Sequence, residues 1–230
     1  MENKNYRLTD RYIHVFPGLY EQLVTTPFTT PVSRSLWLTH GKRCVDLIVS
    51  LVVLIMACPL FIGLAVLTRL SSPGPVIYRQ KRIGRGGKPF VIYKFRSMYV
   101  DAEADGPRLS GGAADNRITA WGWFMRRTRL DEIPQFYNVL KGDMALVGPR
   151  PERQFYIDQL ARRVPAYLTL LQVRPGLTSV GQVYYGYAAN LEEMVERAYY
   201  DLPYLKNQSL RTDLHLLLQT LRVILNGHGK

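Results

Sequence analysis

The feature that most constrains this chain is an uncharged, apolar run from Leu47 to Leu67. A run of about 20 apolar residues is long enough to cross the hydrocarbon core of a membrane as an α-helix. The alternative is a buried helix of a soluble domain, but core helices are seldom apolar over this length. We therefore predict a membrane anchor at residues 41–70. It separates an N-terminal extension at 1–40, with a short helix expected near 19–24, from a domain at 71–230.

A proline and the flanking charges distinguish this run from a simple membrane span. Pro59, preceded by Cys58, lies within the run, where a proline removes a backbone hydrogen bond and kinks a helix. Basic residues flank both ends, beginning with Lys42 and Arg43, so the positive-inside rule gives little orientation. The pattern favours a re-entrant helix, kinked at Cys58 and Pro59, that enters the membrane and returns to the same face. A single-pass anchor is the alternative. Asp46 is expected to pair with Lys42 or Arg43 at the headgroup level.

The charge and the cysteines narrow the class of partner. The net charge of +12 implies an anionic partner, either nucleic acid, an acidic membrane surface or phosphorylated small molecules. A nucleic-acid binder predicts basic residues interleaved with aromatic ones on one helix, whereas the arginines here cluster around carboxylates. Cys44 and Cys58 lie in or beside the apolar run and are interpreted as small apolar residues. The four histidines are scattered and suggest no metal cluster.

The remaining pattern predicts an α+β domain that is predominantly helical. Two short strands are expected at 76–78 and 90–96, joined by a Gly-rich hairpin loop, and a Gly- and Ala-rich loop follows at 105–116. A turn with two prolines is expected at 146–151. The predicted helices cover 118–127, 131–142, 152–173, 191–204 and 210–226. The last helix carries a leucine stripe, for which core packing and a membrane interface are equally good interpretations.

The adjacent carboxylates of Asp131 and Glu132 are the first candidates for chemistry. Pro134 suits the first turn of a helix, so the pair lies at or just before a helix start. Acidic residues there commonly do no more than stabilise the helix dipole. Three arginines, beginning with Arg126, precede this pair, and cations beside helix N–H groups hold phosphate. Carboxylates next to such a site can bind a divalent metal or attack phosphorus.

Further cations are expected around the same phosphate. Lys94 and Arg96 alternate along a predicted strand, so both project from one face and can form a second clamp for phosphate. A solvated basic face is the alternative. Arg150 lies between two prolines that stiffen its backbone and present the guanidinium with little loss of entropy. A structural turn is the alternative for Arg150.

Several segments in a fixed order resemble one family, the bacterial sugar transferases, which are monotopic polyprenyl-phosphate phosphoglycosyl transferases. The resemblance extends from about residue 40 to the C-terminus. A lone Leu-Asp-Glu is weak evidence, but these segments together are highly specific. The matching segments are KRCVDL at 42–47, GPVIYRQKRIG at 74–84, YKFRSM at 93–98, RRTRLDEIPQ at 126–135, NVLKGDM at 138–144, LVGPRP at 146–151, RPGLT at 174–178 and YD at 200–201.

The resemblance implies a reaction and a set of roles. A UDP-sugar gives its sugar-1-phosphate to membrane polyprenyl (undecaprenyl) phosphate and releases UMP. Asp131 is implied as the nucleophile, through a covalent aspartyl-phosphosugar intermediate, and Glu132 as a ligand of Mg²⁺. The cations implied near the substrate phosphates are Lys94, Arg96, Arg126 and Arg150.

The resemblance also implies where the protein acts. The re-entrant helix, broken at Pro59, would hold a small catalytic domain on the cytoplasmic side of the bacterial inner membrane, with no nucleic acid as partner. The reaction would initiate a surface glycan such as an exopolysaccharide, capsule, O-antigen or glycoprotein glycan. A homodimer is left open as an alternative to a monomer.

Three positions depart from the family's pattern. Cys58 stands where serine is common, Arg129 where a small residue is common, and Ser179 where glycine is usual. A catalytically silent scaffold of an envelope-assembly complex is the competing hypothesis, and such a scaffold would not need Asp131.

Overall fold

The computed structural model describes residues 40–110 and 115–226, so the short helix expected near 19–24 lies outside the described residues. The described residues form a predominantly helical α+β fold, as predicted. The helices are α1 (Lys42–Met56), α2 (Cys58–Ser71), α3 (Ala120–Arg127), α4 (Gln135–Lys141), α5 (Gln154–Arg163), α6 (Leu191–Asp201) and α7 (Leu210–Leu225). The strands are β1 (Ile77–Ile83), β2 (Pro89–Phe95), β3 (Ala145–Val147) and β4 (Gly176–Thr178).

The first two strands form the predicted hairpin. They pair antiparallel, with Ile77 opposite Phe95 and Ile83 opposite Pro89. A short 3-10 turn at Arg85–Gly87 connects them, and its two glycines supply the positive φ angles of 69° and 74° that the reversal needs. The predicted strand at 76–78 is therefore too short, because its pairing with β2 extends it as far as Ile83.

The predicted turn at 146–151 is wrong in its first residues. Ala145 and Val147 belong to β3, which pairs in parallel with β4 opposite Gly176 and Thr178. A strand of three residues is too short to produce a visible alternation in the sequence, and its partner lies about 30 residues further along the chain.

The predicted helix at 152–173 is also wrong, because the structure divides it. Helix α5 ends at Arg163, and a 3-10 helix follows at Pro165–Gln172. Pro165 has no N–H to continue the α-helical hydrogen bonds, so the chain begins a new turn there. Both parts still contribute to one core, through Ile157, Leu160 and Leu170.

The apolar run folds as two helices, α1 and α2, that meet at an angle of 63°. The break is at Ala57, two residues before the position predicted. Pro59 explains the shift, because it lacks the N–H that would bond to the carbonyl of Ile55 and its ring clashes with that carbonyl. No single helix in the described chain is long and apolar enough to cross a membrane, whereas this bent pair is long and apolar enough taken together.

Helix α2 contacts the domain along one side only. Leu64 packs with Phe95 of β2 and Met125 of α3 in a buried cluster, and Thr68 is also fully buried. Most other apolar side chains of the helix pair are exposed. The most exposed are Ile48, Ile55, Met56, Ile62 and Leu70. The pair therefore presents a continuous apolar surface that the described domain does not cover.

Polar contacts attach the first turn of α1 to the domain. Lys42 Nζ lies 2.5 Å from Asp213 Oδ2 on α7, and Arg43 donates to two carbonyls at the end of α4, at 2.6 and 2.9 Å. Asp46 Oδ1 accepts from the backbone N–H of Leu146 at 3.0 Å. The predicted pairing of Asp46 with Lys42 or Arg43 is therefore wrong, because all three side chains reach into the domain instead.

Helix α7 has two different faces. Asp213 and Leu216 are buried against the domain, so part of the helix packs on the core. The rest of the leucine stripe lies on the outside. The exposed members are Leu210, Leu214, Leu218, Leu221 and Leu225. Core packing therefore accounts for only part of the helix, and the exposed leucines form an apolar face that the described residues do not cover.

Gly122 allows α3 to approach the end of the β-hairpin. The side chain of Thr119 caps the helix by accepting from the Gly122 N–H at 2.9 Å. A Cβ at Gly122 would lie only 1.9 Å from the carbonyl oxygen of Ser97. We expect Gly122→Ala to destabilise the domain by about 3 kcal/mol, because the overlap is with backbone and forces α3 away from the hairpin. Thermal unfolding of the purified protein measures this.

Gly63→Ala is the matched control for that substitution. It is also within a helix, and a Cβ there would meet no heavy atom within 4 Å. We expect its unfolding midpoint to equal or exceed that of the wild type, because alanine is the better helix former. Equal midpoints for the two variants would contradict the close approach at Gly122.

Candidate active site

A single large cavity contains all six residues predicted to act on phosphate. Its volume is about 850 Å³, within the range of about 300–1,000 Å³ that small-molecule sites occupy. The walls come from the β1–β2 hairpin, the loop before α4 and the segment after β3. The predicted residues that line it are Lys94, Arg96, Arg126, Asp131, Glu132 and Arg150.

Local structure fixes the two carboxylates close to β2. Asp131 and Glu132 lie in a 3-10 turn, Leu130–Glu132, just before α4, as the proline after them predicted. Asn138 of α4 bonds to the edge of β2 at both ends of its amide: it donates to the carbonyl of Val91 at 2.7 Å and accepts from the N–H of Tyr93 at 3.1 Å. These bonds hold the turn beside the strand that carries Lys94.

Glu132 is the centre of a cationic cluster. Its Oε1 lies 2.6 Å from Lys94 Nζ and 3.6 Å from Arg150 Nη2, and its Oε2 lies 3.4 Å from Arg129 Nη1. Burial raises the pKa of Glu132, but the three cations together outweigh it and hold the pKa well below its usual range. The Glu132 carboxylate is therefore ionised and orients the cations around it.

Arg129 is a member of this cluster that sequence reasoning did not assign. Its φ of 59° places it in the left-handed region, unusual for a residue with a side chain. The available signal was its spacing of three residues from Glu132, which suits an ion pair on a single turn.

Asp131 has a different environment from its neighbour. It is 6% exposed, and it forms no ion pair with any of the described residues. Burial raises its pKa, against the attraction of Lys94, and the negative charge of Glu132 raises it further. A buried carboxylate that is neither paired nor strongly stabilised as an anion is a better base and nucleophile than an ordinary surface aspartate.

Arg96 combines a structural contact with unused donors. It is 5% exposed, and its Nη2 donates to the carbonyls of Ser72 at 2.6 Å and Thr68 at 3.3 Å, at the end of α2. Its Nε and Nη1 have no hydrogen-bond partner among the described residues. One edge of the guanidinium therefore fixes the end of α2 against the strand. The binding of phosphate by Arg96 stays a prediction.

The other predicted residues have distinct surroundings. Arg126 Nη2 lies 3.4 Å from the hydroxyl of Tyr187, which also lines the cavity. The backbone N–H of Arg150 bonds to Asp201, and burial raises the pKa of Asp201 to about 6. Cys58 and Pro59 lie at the start of α2, and both are exposed. They belong to the bend of the helix pair and do not line the cavity.

The carboxylates meet only part of the requirement for a metal. Among residues 40–110 and 115–226, no group of three or more His, Cys, Asp or Glu side chains could hold a metal ion. Mg²⁺, however, is usually bound by one or two carboxylates together with substrate phosphates and water. Glu132 and Asp131 supply carboxylate oxygens of that kind, but both oxygens of Glu132 already contact Lys94, Arg129 or Arg150 and would have to be shared with the metal.

Comparison with known proteins identifies the family. The family model described as "Bacterial sugar transferase" matches residues 37–227. This chain belongs to the bacterial sugar transferase family. The match covers both the helix pair and the cavity, so the bacterial sugar transferase assignment includes every residue of the candidate site.

Curated relatives of this bacterial sugar transferase carry related names. A UDP-N-acetylgalactosamine-undecaprenyl-phosphate N-acetylgalactosaminephosphotransferase of Aeromonas hydrophila is 43% identical over 188 residues, which are 82% of this chain and 44% of the relative. A UDP-glucose:undecaprenyl-phosphate glucose-1-phosphate transferase of Klebsiella pneumoniae is 40% identical over 78% of this chain and 39% of its own length. A relative of the same name from Caulobacter vibrioides is 38% identical over 80% of this chain and 69% of its own length. The chain thus spans less than half the length of the first two.

Proposed function

We propose that this protein transfers a sugar-1-phosphate from a UDP-sugar to undecaprenyl phosphate and releases UMP. The observation that carries the proposal is Asp131: a buried, unpaired carboxylate in a cavity whose walls supply several cations. The names of the relatives support the same two substrates for those proteins. In bacteria, such a transfer would initiate a surface glycan.

The environments of the two carboxylates support separate roles. In the first step, an oxygen of Asp131 attacks the sugar-bearing phosphorus, and the bond between that phosphorus and the bridging oxygen of UMP breaks. The product is an aspartyl-phosphosugar, and UMP leaves with the electron pair. In the second step, a phosphate oxygen of the lipid attacks the same phosphorus and frees the Asp131 carboxylate.

The cations around Asp131 would hold charge during both steps. Phosphoryl transfer depends mainly on positioning and on electrostatic stabilisation of phosphate oxygens. Lys94, Arg126 and Arg150 are fixed by contacts within the cavity and so need little reorganisation. Glu132, with phosphate oxygens, would hold Mg²⁺, which supplies further neutralisation of phosphate charge when bound.

We also propose that the α1–α2 pair is a re-entrant anchor on the cytoplasmic face of the inner membrane. The bend of 63° and the exposed apolar side chains on both helices support a hairpin more than a straight span. The exposed leucines of α7 would lie in the interface beside it. Such an anchor would bring a lipid phosphate to the cavity.

A donor panel and a topology experiment test these proposals. Purified protein in lipid nanodiscs with undecaprenyl phosphate and Mg²⁺ is assayed for UMP release from a set of UDP-sugars. No UMP from any of them would refute the transferase proposal. Single cysteines introduced near the two termini, in a variant without Cys44 and Cys58, are then labelled in sealed vesicles. Labelling of the termini on opposite sides would refute the re-entrant anchor.

A further inference from the structure

The cavity extends beyond the cations that face Asp131. It continues into a second region, where a carboxylate and hydroxyl groups line the wall. We call this region the distal compartment. It lies between β1 and the segment that follows β2. Its polar residues include Tyr78, Gln80, Glu103, Ser110 and Arg153, and all of these line the same cavity as Asp131.

Glu103 is held in a fixed orientation in the distal compartment. Its Oε2 accepts hydrogen bonds from the hydroxyl of Tyr78 at 3.0 Å and from Gln80 Nε2 at 3.3 Å, and it also pairs with Arg153. No described residue donates to Oε1 of Glu103. Three contacts on one oxygen therefore position the carboxylate and leave the other oxygen able to accept from a ligand.

Ser110 supplies a second, independent observation. It is 6% exposed, and its hydroxyl has no hydrogen-bond partner among the described residues. Burying a hydroxyl without a partner is costly, and such groups are uncommon in folded proteins. Because Ser110 lines the cavity, its hydroxyl can bond to a ligand there.

These groups suit a neutral ring that carries hydroxyls. A carboxylate repels phosphate, so the diphosphate belongs with the cations near Asp131. Uracil presents a single donor, its N3–H, between two carbonyl oxygens that a carboxylate repels, so it suits Glu103 less well than a ring with several hydroxyl donors. The hydroxyls of a sugar can donate to Glu103 and accept from Ser110 at the same time.

We infer that the distal compartment binds the hexose ring of the donor and determines which UDP-sugar this protein uses. Glu103 accepts hydrogen bonds from ring hydroxyls through Oε1, and Ser110 bonds to a neighbouring hydroxyl. Tyr78, Gln80 and Arg153 are positioning residues for Glu103. This inference rests on the proposed transferase function.

The test compares Glu103→Gln with the wild type in two assays. The first gives kcat/KM for UDP-glucose, UDP-galactose and their two N-acetylated analogues. The second gives inhibition by UMP, which has the ribose but no hexose. We expect kcat/KM for the preferred donor to fall about 10-fold or more, because a hydrogen bond to a charged group is lost. The ratio of kcat/KM between the preferred donor and the other donors should therefore become smaller. The inhibition constant of UMP should stay within about 2-fold of the wild-type value, a change smaller than the loss of one such hydrogen bond would cause.

Two variants keep the test decisive. Ser110→Ala removes a hydroxyl with no described protein partner, so it should fold normally and still narrow the preference among donors. Glu192→Gln, at an exposed glutamate outside the cavity, should change neither assay. If Glu103→Gln does not fold, Ser110→Ala carries the same test.

Three results would overturn the inference. An equal fall for all four donors would show that the compartment does not distinguish hexoses. Weaker inhibition by UMP would assign it to the ribose instead. Unchanged kinetics in both variants would mean that no ring binds there. Each of these differs from a failure of the proposed function, in which the wild type itself releases no UMP.

Discussion

Asp131→Asn is expected to stop UMP release almost completely and to leave the protein as stable as the wild type, or more so. An amide cannot attack phosphorus to form the intermediate, so we expect kcat to fall by about 10³-fold or more. Burial raises the pKa of Asp131, which means that the fold disfavours its charge. Asparagine has nearly the same shape without that charge, so the unfolding midpoint should not decrease.

The pH dependence of stability provides a check with a defined sign. Because the folded protein binds the Asp131 proton more tightly than the unfolded chain does, ionisation of Asp131 lowers wild-type stability as the pH rises above its usual value of 3.8. Any advantage of Asp131→Asn in thermal unfolding should therefore be larger at pH 7 than at pH 4. Activity is measured as UMP release, and a phosphosugar trapped on Asp131 without lipid is sought by mass spectrometry of the intact protein.

Asp158→Asn is the matched control, because Asp158 is an exposed aspartate on α5 outside the cavity. It should retain full activity. Continued turnover by Asp131→Asn would contradict the nucleophile. Glycan assembly that persisted in cells without any UMP release would instead favour a catalytically silent scaffold. A loss of both activity and stability in Asp131→Asn would assign the residue a structural role instead.

The candidate site was predictable where its chemistry lies in short segments of sequence. Asp131 and Glu132 precede Pro134, and the structure has the predicted turn followed by a helix. Lys94 was predicted from strand alternation and Glu132 from the carboxylate pair before Pro134, and the family resemblance added only their roles. Their contact depends on Asn138, which attaches α4 to β2. The types of residue at the site were thus visible in the sequence, although the contact that joins them was not.

The rest depended on contacts between residues far apart in sequence. Arg96 was predicted to share a face with Lys94, but its guanidinium donates to the end of α2, which hydrophobic periodicity cannot reveal. Glu103 follows β2 in a segment without a period, so nothing predicted that it meets Tyr78 and Gln80 across the cavity. The break at Ala57 instead of Pro59 reflects a proline acting on the preceding turn of helix, which a motif locates only to within a few residues.

Glu132→Gln is expected to have the opposite effect on stability from Asp131→Asn. Lys94, Arg129 and Arg150 all lie within 4 Å of the Glu132 carboxylate, whose side chain is 9% exposed. Glutamine keeps the shape but leaves three positive charges close together without their counter-ion. Removing one partner of a buried ion pair costs about 3–5 kcal/mol, so we expect a loss of about 3 kcal/mol and a clear decrease in the unfolding midpoint at pH 7.

The pH dependence and the metal dependence separate this structural role of Glu132 from metal binding. The pKa of Glu132 is lower in the folded protein than in the unfolded chain, so its stabilisation is complete above about pH 4.5 and is lost as the pH falls through the folded pKa. The difference between wild type and Glu132→Gln should therefore be largest at neutral pH, and it should persist in EDTA. Glu192→Gln, an exposed control, should unfold like the wild type. If Glu132→Gln were as stable as the wild type in EDTA and differed only with Mg²⁺ present, then metal binding, and not the neutralisation of three cations, would be the role of Glu132.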